Sequence, residues 1–148
     1  MRINEVVQKT KNKNTSGFFC LSFNVLNIFD KNIAMKNIAS SFTLPNGSIL
    51  KNRIAKSAMS ENFGTRHHAP SKGLINAYRV WAKGNPGLLI TGNVMVDSLA
   101  LGEARNVVVE DYKDFELLKE WAKAAEGTGV HLWPQINHPG RQAFAAIN

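Results

Sequence analysis

The run "GLLITGNVMV", residues 87–96, is apolar almost throughout but is interrupted midway by Thr91, Gly92 and Asn93. Its length and composition predict a buried strand. Upstream, "FTLPNGSIL" sets Asn46-Gly47 between two short apolar runs, the pattern of a hairpin whose turn residues tolerate positive φ. "NRIAKSAMS" follows as an expected strand through Ile54, Ala55 and Met59. Ser71 is the expected cap of a helix with apolar positions Leu74, Ala77, Tyr78 and Trp81, and Gly84 its stop. After a long irregular connection, "DSLALGEARNVVVE", Asp111 is expected to cap a second helix. Its apolar face is Phe115, Leu118, Trp121, Ala122 and Ala125, and Gly127 ends it. The strand "VHLWPQIN" closes the series.

Strand–helix–strand–helix–strand alternation predicts parallel strands with helices packed outside. Near-continuous apolar strands agree, because strands of a parallel sheet are buried on both faces. Polar groups gather at Ser57–Glu61, Thr91–Asn93 and Gln135–Arg141, which this reading places at the strand ends. In parallel barrels and open sheets that edge binds ligands. Three strand ends thus point to one shared site.

Composition changes this picture little. The chain of 148 residues is 44% hydrophobic and 20% charged, as an ordinary globular domain is. The net charge of +7 is uneven: six Lys/Arg and two Asp/Glu fall in residues 1–40. No basic stripe with interleaved aromatics occurs in the compact part, which argues against nucleic acid. Cys20 stands alone, so no internal disulfide or cysteine metal cluster forms within this stretch, in keeping with a reducing, cytoplasmic location. "GFFCLSFNVLNIF" is too short and too broken by polar residues to span a bilayer. Residues 1–34 are expected to be a disordered extension, with residues 35–148 the folded part. Neither a P-loop nor a dinucleotide glycine pattern follows the first strand, and no HExxH spacing or GxSxG elbow is present.

"LPNGSILKNRIAKSAMSEN", "WAKGNPGLLITGNVMVD" and "PQINHPGRQ" resemble, in order and spacing, the amino-terminal part of the old yellow enzyme and NADH:flavin oxidoreductase family. The resemblance covers about residues 40–148. It implies an α/β fold, with about three βα units and an N-terminal hairpin of a TIM (β/α)8 barrel. It further implies FMN as cofactor, NADH or NADPH as reductant, and an activated alkene or similar small molecule as acceptor. By the same resemblance, Ser57, Ala58 and Met59 pack against the flavin, and Ser60 lies close to its pyrimidine carbonyl. Gly92 lets the backbone approach the ring, and Gln135 bonds the pyrimidine edge. His138 and Arg141 match a loop of the family that is a weaker candidate for substrate contact.

Each residue also has a plainer reading. Met59 could fill core, Ser60 could cap a turn, Gly92 could mark a bulge, and Arg141 could brace its loop against a carboxylate. Asn62 stands where some branches carry a proton-donating tyrosine, which puts that role in doubt here. The pair that binds the acceptor's carbonyl in the family belongs to a later strand, beyond residue 148. The chain is therefore expected to be part of a larger enzyme, inactive alone and compatible with a homo-oligomer. The rival reading is a non-catalytic remnant or a small interaction module.

Overall fold

The computed structural model describes residues 37–143 and 145–147. The expected extension at residues 1–34 lies outside them. A hairpin comes first, β1 (Phe42–Thr43) pairing antiparallel with β2 (Ile49–Leu50). Gly47 takes φ +84°, but Asn46 is not among the residues with positive φ. The Gly47 N–H instead bonds the Leu44 carbonyl, with Pro45 presetting the turn, so the left-handed residue follows the turn.

β3 (Ala55–Lys56) is shorter than expected and stops well before Met59. α1 (Lys72–Lys83) begins as predicted, with the Ser71 hydroxyl oxygen accepting the Leu74 N–H at 3.1 Å. Leu74, Ile75, Tyr78 and Ala82 form its buried face. Gly84 does end it, though in a right-handed conformation; the left-handed residue is the next one, Asn85, at φ +64°.

β4 (Leu88–Met95) runs parallel to β3 through Ala55↔Leu88 and Lys56↔Leu89. The connection after it is not wholly irregular. β5 (Val107–Val108) joins β4 in parallel at Val94 and Met95, which carries β4 past Asn93. Thr91–Asn93 therefore lie inside a strand rather than at its end. α2 (Phe115–Ala122) starts later than expected, at Asp114, while Asp111 Oδ1 accepts the Lys113 N–H in a preceding turn. A 3-10 turn, Lys123–Ala125, extends it, and Gly127 then takes φ +75°.

β6 (His131–Asn137) pairs in parallel with the far side of β4. β3, β4 and β6 thus lie side by side in chain order. Residues of α1, of α2 and of the turn after it share one core cluster with Leu89 and Val94, so both helices cover the same sheet face. Tyr78 anchors that core, fully buried, with its ring edge-on to Trp81 and Trp121. Burial on both faces holds for β4 but not for β6, where Trp133 and Ile136 are exposed. Among the described residues β6 has a strand on one side only.

Candidate functional site

The inner face of the sheet, away from the helices, is shaped by an irregularity. The β4–β6 register steps from Ile90↔Trp133 to Asn93↔Gln135, so Thr91 and Gly92 together oppose Pro134. Pro134 has no N–H for the ladder, and a bulge is where a sheet accommodates that loss. The Gln135 N–H bonds the Thr91 hydroxyl at 2.9 Å, and the same hydroxyl donates to the Gly92 carbonyl at 2.7 Å. Because side chains alternate along a strand, the extra residue reverses the faces. Leu89 and Val94 both meet the helices, and the Asn93 side chain turns toward Gln135.

Gln135 Nε2 donates to Asn93 Oδ1 at 2.5 Å. The Gln135 side chain is exposed, and its Oε1 and second N–H have no partner among the described residues. A free donor beside a free acceptor suits the polar edge of a flavin pyrimidine ring. This donor set fits the cofactor implied by the sequence. The plain reading of Gly92 as a bulge residue is correct.

The segment after β3 lies across from these amides. Ser57 is exposed, Ala58 half-buried, Met59 53% exposed and Ser60 exposed. Met59 does not fill core. The Ser60 hydroxyl caps no turn; it donates to the Glu103 carboxylate, 43 residues later. Gly92 is buried, and a Cβ there would overlap Glu61 Oε2 and the Met59 carbonyl oxygen. The close approach that needs glycine is thus made by the chain's own Met59–Glu61 segment.

Glu61 was not singled out in the sequence. Its Oε1 accepts the Gly92 N–H at 2.9 Å and the Tyr78 phenol proton, and Lys56 Nζ stands 3.8 Å away. Burial, then the Glu61 carboxylate, push the Tyr78 phenol well above its ordinary range, so it remains a donor. Burial also holds the Lys56 ammonium below its usual value, opposed by Glu61. Lys56 Nζ lies 4.9 Å from the Trp81 ring centroid and donates to the Ile90 carbonyl at 2.9 Å, a structural use rather than an anion site.

His138 and Arg141 sit on the loop beyond β6. His138 Nδ1 accepts the Gly140 N–H at 3.0 Å, and its Nε2 is 3.7 Å from Asp97. Arg141 is exposed and has no ion pair among the described residues, so it does not brace the loop against a carboxylate. An apolar cavity of about 460 Å³ lies on the opposite, helix-facing side, between Phe115, Leu118 and Trp121 of α2 and Leu132 and Ile136 of β6. It offers almost no polar groups to a ligand. Among the described residues no cluster of three metal-ligating side chains occurs, and no helix is long and apolar enough to cross a membrane.

No family model matches the chain. It is 38% identical over 111 residues to the NADH-dependent flavin oxidoreductase iccE of Talaromyces variabilis, covering 72% of this chain and 27% of that protein. In fold it matches the old yellow enzyme of Trypanosoma cruzi, with a TM-score of 0.65 at 19% identity over 74% of this chain and 29% of the other. A 2-naphthoyl-CoA reductase in complex with 2-naphthoyl-CoA gives a TM-score of 0.69 at 24% identity, over 74% of this chain and 17% of that one. The chain spans about a quarter of the length of the curated relatives it matches. Its parallel sheet with helices on one face is part of the α/β barrel found in these structures.

Proposed function

This chain belongs to the family of NADH-dependent flavin oxidoreductases and shares the fold of the old yellow enzymes, and on that premise we propose that the inner face of its sheet binds FMN for an ene-reductase type of reaction. The observation that carries the reading is the Gln135–Asn93 amide pair. It presents an unpaired donor and acceptor on an exposed face that also carries Met59 and Trp133.

Gln135 would hold the pyrimidine edge, and Met59 with Ser57 and Ala58 would pack against the ring. Ser60 would reach the pyrimidine carbonyl region, in competition with its bond to Glu103. The chemistry supplied by the bound flavin is two-electron transfer, from NADH or NADPH to an activated alkene or similar small acceptor. The chain's own residues bind and orient: the bulge sets Asn93 and Gln135 side by side, and the Gly140 N–H bonded to His138 Nδ1 turns the loop beyond them. His138 and Arg141 are the residues on that loop available to an acceptor. The test is an FMN titration of the purified protein followed by fluorescence quenching. Saturable binding that is lost on substitution of Gln135 supports the reading, and no binding contradicts it.

A further inference from the structure

On one side of β4 the ladder has a gap. β3 pairs only at Leu88 and Leu89, and β5 joins only at Val94 and Met95. Backbone groups of a buried strand must nevertheless find partners. Side chains supply them: Lys56 Nζ takes the Ile90 carbonyl, and Glu61 Oε1 takes the Gly92 N–H.

The Glu61 side chain is only 10% exposed. A carboxylate removed from water to that degree is tolerated when its lone pairs are occupied. Here the Gly92 amide, the Tyr78 phenol and the Lys56 ammonium occupy them. The carboxylate also fills the space that any side chain at residue 92 would need, alongside the Met59 carbonyl.

We infer that Glu61 is a positioning residue of the flavin site, an inference that rests on the flavin reading above. Its carboxylate replaces the missing ladder bond and holds Gly92 against Met59. The Ser57–Ser60 segment is thereby fixed without pairing as a strand. An ordinary ladder would commit the backbone of that segment to β4; a single side-chain bridge leaves Met59 and Ser60 facing the ligand. The bridge starts from the residue directly after Ser60, so a displacement of Glu61 moves Ser60 with it.

The experiment compares Glu61→Gln, which keeps an oxygen for Gly92 and Tyr78, with Glu61→Ala, which keeps none. Glu61→Asp, one methylene shorter, serves where alanine prevents folding. Hydrogen exchange is read at the Gly92 amide of the labelled full chain, with the Leu89 amide as internal reference. Exchange at Gly92 should quicken about tenfold or more in the alanine and aspartate variants and stay within about threefold in the glutamine variant. FMN affinity should weaken in the same order, with glutamine restoring it. Unchanged Gly92 exchange in both disrupted variants overturns the inference, as does loosened exchange with undiminished FMN binding. If the unsubstituted protein takes up no FMN, the flavin reading itself fails; the exchange comparison alone then decides whether Glu61 holds Gly92.

Discussion

The side-chain amide nitrogen of Gln135 stands 2.5 Å from Asn93 Oδ1, tying β6 to β4 at the residue pair directly after the bulge. Replacing Gln135 with Leu removes this bond and leaves flavin polar atoms without partners. FMN affinity should fall by on the order of 1–3 kcal/mol, measured by fluorescence titration. An unchanged affinity would take Gln135 out of the site.

Thr91 is the hinge of the same bulge. Its hydroxyl both accepts from Gln135 and donates to Gly92, and the residue is 2% exposed. Thr91→Val keeps the shape but strands a backbone N–H and a carbonyl, at a cost of about 1–3 kcal/mol. Urea unfolding of the two proteins checks this, and equal midpoints would mean that the bulge is held by something else.

Much of this framework is legible in the sequence, because its signals are local. Ser71 three residues before Leu74, and apolar positions at helical spacing, define α1 without help from the rest of the chain. The apolar run of β4 is as plain. β5 is not legible: two valines form a strand only because β4 offers an edge there. Asp111 imitates a cap because the same short carboxylate suits a turn and a helix start, and the turn wins. The roles of Glu61 and Glu103 are not legible, because the partners Gly92 and Ser60 lie 31 and 43 residues away. Two signals mark the bulge in the sequence, Gly92 and Pro134, each inside a strand pattern. The residues proposed to hold FMN are legible only through the family resemblance, and periodicity alone marks only the edge on which they sit.

Ser60 and Glu103 should move the flavin potential in opposite directions. A hydroxyl donor near the pyrimidine stabilises negative charge on the reduced ring, and a carboxylate destabilises it. Ser60→Ala should therefore lower the midpoint potential, while Glu103→Gln should raise it by weakening the competing acceptor. Redox titration of the FMN-loaded protein reads both. Shifts of the same sign, or none, would place Ser60 away from the ring.

Glu120 gives a pH signature on the outer face. Hydrogen bonds from Lys72 at 2.5 Å and Arg79 at 2.8 Å hold its carboxyl below its ordinary value of 4.5. A depressed carboxylate stabilises the fold above its unfolded value and loses that contribution as pH falls through the folded one. Glu120→Gln should be the less stable protein at neutral pH, with the gap closing as pH falls below that ordinary value. The gap should be small, because exposed pairs contribute little. A gap that persists in acid would show that packing, not charge, separates the two proteins.

The central claim is that the inner sheet face receives the flavin, and amide chemical shifts measured during an FMN titration test it most directly. The account predicts saturable shifts at Met59, Ser60, Gly92 and Gln135, with the amides of α1 undisturbed. Shifts confined to Phe115, Leu118 and Ile136 around the apolar cavity, or no saturable shifts at all, would contradict it.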